Sequence, residues 1–87
     1  MDVEIIPYSD RYKEIGHRIS YCRKHLNLTQ EQLAEKLGIS RQHIGAIEAP
    51  NVDRKISLDL IFKIAELCNM EPSWFLEYHN IPTQNKE

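Results

Sequence analysis

Residues 29–48, which read TQEQLAEKLGISRQHIGAIE, decide the fold of this chain. Thr29 is followed three residues later by Gln32, which is a capping box: each side chain can satisfy a backbone N–H group at the start of a helix. Gly38 suits the left-handed backbone position just past the end of that helix. Ser40 is the expected cap of the next helix, after a very short connection. The stretch therefore predicts a helix-turn-helix unit.

Apolar residues at helical spacing predict three more helices around this unit. The first is expected to be capped by Ser9 and to run to about His25. The fourth should cover roughly residues 58–68 with Ser57 as its cap, and Pro72 can occupy the first turn of a short fifth helix. The inward stripe of the first helix is Tyr12, Ile15, Ile19, Cys22 and Leu26. The inward residues of the central unit are Leu33, Ala34, Leu37, Ile44 and Ile47.

The chain of 87 residues fits one all-α domain of five helices. We expect an N-terminal arm over residues 1–8, the domain over 9–78 with its helix-turn-helix unit at about 29–49, and a polar tail over 79–87. No apolar run reaches the roughly 18 residues that a membrane span needs. Acidic residues stand near the N-terminus where a secretory signal would carry Lys or Arg, so we expect a cytoplasmic protein without a membrane partner.

Metal and cofactor chemistry finds little support in the sequence. Cys22 and Cys68 are far apart along the chain and are expected to be small buried apolar residues in a reducing compartment. No two of the four histidines lie three or four residues apart, so no helix face collects a pair of zinc ligands. We find no nucleophile–base pair, carboxylate pair or glycine-rich phosphate loop. We therefore expect no cofactor, no metal and no enzymatic activity.

The outward face of the second helix in the central unit carries side chains that can read DNA bases in the major groove. Arg41 can donate two hydrogen bonds to guanine O6 and N7, and Gln42 can pair in the same way with adenine N6 and N7. Gly45 and Ala46 are small enough to let the helix approach closely, and the Ala46 methyl group can touch a thymine methyl group. Read alone, the same residues fit a solvated polar helix face equally well.

The pattern LTQxxLAxxLGISxxxIxxIE at residues 28–48 resembles the Cro and phage-repressor family, the XRE-type regulators. The resemblance continues through SLD at 57–59, KIAEL at 63–67 and WFL at 74–76, and the stretch ISLD also resembles the small controller proteins of restriction–modification systems. The resemblance implies a compact, lambda-repressor-like domain of five helices. It also implies that the protein binds double-stranded operator DNA, an inverted repeat, as a two-fold homodimer.

The same resemblance implies roles for individual residues of the helix-turn-helix unit. Gln30 corresponds to a phosphate contact that can also brace the recognition helix. Ser40, Arg41 and Gln42 correspond to positions that contact bases. His43 is expected to reach a phosphate.

Two further roles are expected beside the recognition helix. Arg23 and Glu48 match a family pair that often forms a salt bridge between the first helix and the recognition helix. The family usually has a glycine two residues after that glutamate and a shorter loop, whereas this chain has Pro50 there. In the longer loop, Arg54 and Lys55 are the candidates for contacts with the sugar-phosphate backbone; otherwise they are solvated surface charges.

The fourth helix is more apolar than a single core requires, because only Asp59, Lys63 and Glu66 are polar within residues 58–68. A helix that is apolar almost all round should be buried on more than one side. We therefore expect helices four and five to contribute a self-complementary two-fold interface with Trp74 as its anchor. The alternative is that Trp74 packs inside its own subunit. The interface candidates are Leu60, Ile64, Leu67, Pro72 and Trp74.

The net charge of −2 argues mildly against a nucleic-acid partner, but positive groups gathered on one face would outweigh it. A dimer would place two recognition helices about 34 Å apart, in successive major grooves. The expected function is therefore a sequence-specific transcriptional regulator, acting as a repressor or autoregulator. The alternative is an antitoxin-like or adaptor module that uses the same fold to bind a protein partner.

Overall fold

A computed structural model of the chain describes residues 8–49 and 55–77. This part of the chain contains five α-helices and no strand, which confirms the expected all-α class. None of these helices is long and apolar enough to cross a membrane. The expected arm (apart from Tyr8), the polar tail and Arg54 lie outside the described residues. The helices are α1 (Ser9–His25), α2 (Gln30–Leu37), α3 (Arg41–Glu48), α4 (Leu58–Cys68) and α5 (Pro72–Leu76).

Side-chain caps define the starts of α2, α3 and α4. At α2, the Thr29 hydroxyl accepts the N–H of Gln32 at 3.0 Å, and the Gln32 side-chain oxygen accepts the N–H of Thr29 at 2.9 Å. The capping box is therefore present. The hydroxyls of Ser40 and Ser57 accept the N–H groups three residues ahead of them at 3.0 and 3.1 Å. Each cap satisfies an N–H group that the helix itself leaves without a partner.

Gly38 ends α2 and turns the chain toward α3. Its backbone is left-handed, with φ of 73°, a conformation that a side chain would oppose. The N–H of Ile39 donates to the carbonyl of Ala34 at 3.0 Å, and the N–H of Gly38 donates to that of Glu35 at 3.3 Å. This pair of hydrogen bonds is the Schellman motif, which closes a helix in a fixed geometry. The turn therefore sets the direction in which α3 leaves α2.

The first helix differs from the expectation at its start, whereas it ends at His25 as expected. Ser9 is the first helical residue rather than the cap, because Tyr8 holds the cap position with φ of 64° and no side-chain hydrogen bond. The carbonyl of Tyr8 already accepts the N–H of Tyr12 at 3.1 Å. Leu26 was expected to face inward but is 37% exposed, since α1 ends at His25 and Leu26 lies in the turn that follows.

One hydrophobic core lies between the five helices. Ile44 and Ile47 are both fully buried, so the inward face expected for α3 is confirmed. The core also takes Ile56 from the loop before α4 and Phe75 from α5, which helical periodicity did not single out. The buried apolar residues are Ile15, Ile19, Cys22, Leu33, Ala34, Leu37, Ile44, Ile47, Ile56, Leu60, Ile61, Ile64, Ala65 and Phe75.

Gly16 is the point where α1 passes against the backbone of α3. A Cβ atom at this position would overlap the carbonyl oxygen of Ile47 and approach the Cα of Glu48. The sequence suggested only that a glycine weakens a helix. In the structure, its missing side chain is what lets the end of α3 lie directly on α1.

Candidate nucleic-acid interface

The face of α3 that points away from the core is open to solvent at its N-terminal end. Arg41 and Gln42 are exposed, whereas Gly45 and Ala46, one turn further along, are half-buried. Within residues 8–49 and 55–77, neither Arg41 nor Gln42 forms a hydrogen bond or an ion pair, so both side chains are available to a ligand. The polar groups that can read a base therefore project from the helix start, with small residues beside them.

The opposite end of α3 is fixed to α1 by an ion pair. Arg23 Nε donates to Glu48 Oε2 at 2.8 Å and Arg23 Nη2 donates to Oε1 at 3.0 Å. The two side chains are only 12% and 6% exposed. The hydrogen bond to Glu48 raises the pKa of Arg23, so the guanidinium stays charged. The salt bridge that the family resemblance implied is thus present, in bidentate geometry.

Gln30 joins the start of α2 to the end of α3. Its Nε2 donates to Glu48 Oε1 at 3.0 Å, so the carboxylate of Glu48 is shared between Arg23 and Gln30. A Cβ atom on Gly45 would lie 3.8 Å from Gln30 Oε1, which places the Gln30 amide beside the recognition helix. The geometry therefore shows the bracing contact implied for Gln30.

A groove of about 210 Å³ lies between α3 and the start of α4. His43 from α3, Lys55 from the loop and Lys63 from α4 all line it, so the structure brings together two of the residues expected to contact phosphate and adds a second lysine. Ser57 and Asp59 also line this groove, so it carries one carboxylate beside its basic groups. The sequence identified Lys63 only as one of the three polar residues of α4. It could not show which neighbouring element the Lys63 side chain would face.

The apolar face expected for a second subunit needs correction at two positions. Leu60 is 7% exposed and Ile64 is fully buried in the core of the monomer, so neither offers surface to a partner. They point inward because α4 packs against α1, α2 and α5 in the same chain. Leu67, Pro72 and Trp74 are half-buried. The large apolar side chains exposed on α4 and α5 are instead Leu58, Phe62 and Leu76.

Trp74 makes several contacts within its own chain. The guanidinium of Arg18 lies 4.9 Å from the centre of its ring, and Arg18 Nη1 donates to its backbone carbonyl at 2.9 Å. Its ring also meets Phe75 edge-on, with the two centroids 5.0 Å apart. These contacts favour the alternative in which Trp74 packs inside its own subunit. Part of the Trp74 surface is nevertheless exposed to solvent.

Known proteins share this sequence and this fold. The helix-turn-helix family matches residues 19–75, well over half of the chain. An uncharacterised HTH-type transcriptional regulator of Methanocaldococcus jannaschii, MJ0272, is 54% identical over 55 residues, which are 63% of this chain and 80% of that protein. The restriction–modification controller protein C.AhdI from Aeromonas hydrophila is 32% identical with a TM-score of 0.66, over 78% of this chain and 98% of its own.

Two further solved structures are similar. SinR, the master regulator for biofilm formation, was solved in complex with DNA; it is 27% identical with a TM-score of 0.65, over 72% of this chain and 98% of its own. The hypothetical transcription factor NHTF from Neisseria shares the fold, with a TM-score of 0.69 at 22% identity over 87% of this chain and 83% of its own. With the family match over residues 19–75 and an open recognition helix on a five-helix frame, the chain belongs to the XRE-type helix-turn-helix family of DNA-binding transcriptional regulators and is not an enzyme.

Proposed function

We propose that this regulator binds an inverted-repeat operator as a two-fold dimer and acts there as a repressor or an autoregulator. The observation that carries the proposal is the pairing of an exposed, polar N-terminus on α3 with a C-terminus that is held by two other side chains. Arg41 and Gln42 are exposed, while Glu48 at the other end is held by Arg23 and Gln30. A rigid helix presenting unengaged side chains suits base recognition, because little freedom is lost on binding.

Base readout is assigned to the start of α3. Arg41 donates to guanine, Gln42 pairs with adenine, and Ala46 and Gly45 allow the helix to enter the major groove closely. The Ser40 hydroxyl accepts the N–H of His43, and it keeps its own proton free to donate to a base or a phosphate. This division gives hydrogen-bond specificity at the helix start and close packing one turn later.

Phosphate binding is assigned to the groove between α3 and α4. His43, Lys55 and Lys63 line it together, and His43 lies in the first turn of α3. Two lysines close together outweigh the overall charge of −2 at this place, since a phosphate group responds to the electrostatic field of the nearby surface. Arg54 and Gln30 are further candidates for the same backbone, Arg54 from the loop and Gln30 from the start of α2. SinR, which shares the fold and the family, is bound to DNA in its structure.

The dimer contact is assigned to the apolar surface of α4 and α5. Leu58 and Phe62, one helical turn apart, are 57% and 51% exposed, and Leu76 of α5 is 48% exposed. The half-buried Leu67, Pro72 and Trp74 supply the remaining candidates on these two helices. Burial of these exposed apolar side chains by a second copy of the chain would stabilise the dimer, because it removes apolar surface from water.

Selection of preferred sites from random duplex DNA tests the proposal. We expect an enriched inverted repeat whose half-sites lie about one helical turn apart. Fluorescence anisotropy on that site should show that Arg41→Ala loses about 1–3 kcal/mol of binding free energy, confined to one base position. Lys13→Gln, a change in a lysine of α1 whose side chain is 43% exposed, is the matched control and should bind as the wild type does.

Two outcomes would overturn the proposal. If no sequence is enriched and binding is weak and lost at moderate salt, the chain does not read an operator, and a protein partner becomes the better explanation. If Arg41→Ala weakens binding equally to every sequence, Arg41 contacts phosphate and the assignment of base readout is wrong.

A further inference from the structure

The two cysteines, far apart in sequence, meet in the structure. Cys22 is buried in α1 and Cys68 is the half-buried last residue of α4. The two cysteines line the same groove, and each thiol influences the pKa of the other, so their side chains lie close together. Neither cysteine takes part in the proposed DNA surface.

Both sulfurs line a surface groove of about 260 Å³ between α1, α4 and α5. The thioether of Met70 lines the same groove, and the imidazole of His25 lies at it, stacked on Tyr21 with the rings 6.0 Å apart. Sulfur ligands of this kind select soft metal ions such as Cu(I) over hard ions such as Mg²⁺. The remaining lining residues, Leu26 and Trp74, are largely apolar.

From this juxtaposition we propose that Cys22 and Cys68 form a binding site for a soft monovalent ion of the Cu(I) type, with Met70 as an additional thioether ligand. The described residues contain no group of three or more His, Cys, Asp and Glu side chains arranged to hold a metal. A closed tetrahedral zinc site needs four such ligands. Two thiolates from one groove instead suit an ion that accepts few ligands and prefers sulfur.

Binding at this site exchanges protons and transfers no electrons. Cu(I) forms a bond to each sulfur, and each thiol releases its proton to solvent. Burial raises the pKa of both thiols, that of Cys68 to about 12. Affinity should therefore weaken as pH falls, by up to about 100-fold per pH unit for two released protons.

The same raised pKa values argue against oxidation as the role of this pair. Peroxides react with the thiolate, which is scarce when burial favours the protonated thiol. A strongly thiophilic ion can displace the protons directly. The metal would also join α1 to α4, since Cys22 and Cys68 belong to different helices.

The test is an anaerobic titration of the full reduced chain with Cu(I) against a coloured copper(I) chelator, after both thiols have been counted. We expect the wild type to bind one ion per chain. Cys68→Ser should lower the affinity by more than about 100-fold, and Met70→Leu by about 10-fold. Glu66→Gln, a change on α4 outside this groove, is the matched control and should bind as the wild type does.

X-ray absorption of the loaded wild type provides a readout that does not depend on how the variants fold, and the proposal requires sulfur neighbours around the copper. Nitrogen and oxygen neighbours alone would overturn it. So would binding that Cys68→Ser retains, or a stoichiometry of one ion per two chains, which would indicate a bridge between copies.

Discussion

Arg23 binds both carboxylate oxygens of Glu48, and this contact connects three helices. The Nε and Nη2 of Arg23 donate to Glu48 at 2.8 and 3.0 Å, while Nη1 donates to the carbonyl of Leu28 at 2.7 Å, just before α2. All three nitrogens of the guanidinium are therefore used. Only an arginine can form this fork, because a lysine carries a single point charge. Together with Gln30, the turn at Gly38 and the core contacts of α3, this side chain fixes the orientation of α3 relative to α1 and α2.

Glu48→Gln should destabilise the fold strongly. Removing one partner of a buried ion pair leaves the other charge without compensation, which costs about 3–5 kcal/mol of unfolding free energy. Arg23→Lys should lower the free energy of unfolding by less, since the positive charge remains and only the bidentate hydrogen bonding to Glu48 is removed. Urea unfolding followed by circular dichroism measures both changes.

The matched control for this pair is an exposed one. Lys13 Nζ lies 4.0 Å from Asp10 Oδ1, with side chains 43% and 75% exposed. Lys13→Gln should therefore cost less than about 1 kcal/mol. Similar losses for Glu48→Gln and Lys13→Gln would show that burial does not strengthen the Arg23–Glu48 pair.

Gly16→Ala should destabilise the protein although alanine is the better helix former. In an ordinary helix, replacing glycine by alanine raises the free energy of unfolding by about 0.5–1 kcal/mol. Here the added Cβ atom would overlap the carbonyl oxygen of Ile47, so α1 and α3 must move apart. We expect a net loss of about 1–3 kcal/mol in urea unfolding, typical of an overpacked core.

Gly45→Ala on α3 is the contrasting variant. Its Cβ atom would lie 3.8 Å from Gln30 Oε1, an ordinary van der Waals contact. The free energy of unfolding should rise by about 0.5–1 kcal/mol, because alanine loses less conformational freedom than glycine when the helix forms. A gain in both glycine variants would mean that α1 and α3 separate without cost, and the close crossing at Gly16 would not be needed for stability.

Local chemistry explains why the starts of α2, α3 and α4 could be predicted from the sequence, whereas that of α1 could not. The capping box of Thr29 and Gln32, the left-handed Gly38 and the serine caps each act within a few residues, so their signals are complete in the chain itself. The family resemblance added the Arg23–Glu48 pair, whose partners are 25 residues apart. No local rule could have joined them.

Features that depend on how helices cross were missed. The sequence showed that α4 is apolar almost all round, but not which face packs inward, so Leu60 and Ile64 were assigned to an interface and proved to be core. Lys63 was not connected with His43, since they meet only across the groove between α4 and α3. Cys22 and Cys68 likewise meet only in the folded chain.

Phe62→Glu should convert a dimer into a monomer. Phe62 is 51% exposed on α4, so a charge there is tolerated by the monomer but not by an apolar interface. Sedimentation equilibrium should show a lower molecular mass for the variant, with an unchanged circular dichroism spectrum. Tyr8→Glu, a change in a large side chain that is 71% exposed outside α4 and α5, is the control. A wild type that is monomeric with and without operator DNA would contradict the proposed interface.

Lys63→Gln should weaken DNA binding without changing sequence preference. If Lys63 neutralises one phosphate, its loss removes about 0.9 from the slope of log affinity against log salt concentration. Anisotropy titrations across salt on the preferred site and on a scrambled site measure both quantities, with Lys13→Gln as the control. A slope equal to that of the wild type would mean that Lys63 does not reach the backbone.

Alkaline pH should destabilise the protein through Cys68. The pKa of its thiol is raised to about 12 by burial and by the hydrogen bond to Cys22, against an ordinary value of 9.0. The folded state therefore keeps a proton that the unfolded chain releases. This contribution to stability is fully present below pH 9 and is lost as the pH rises from 9 toward 12. Urea unfolding at pH 8 and pH 10 should show a smaller decrease for Cys68→Ala than for the wild type. Equal decreases would show that other groups, and not this thiol, cause the alkaline loss.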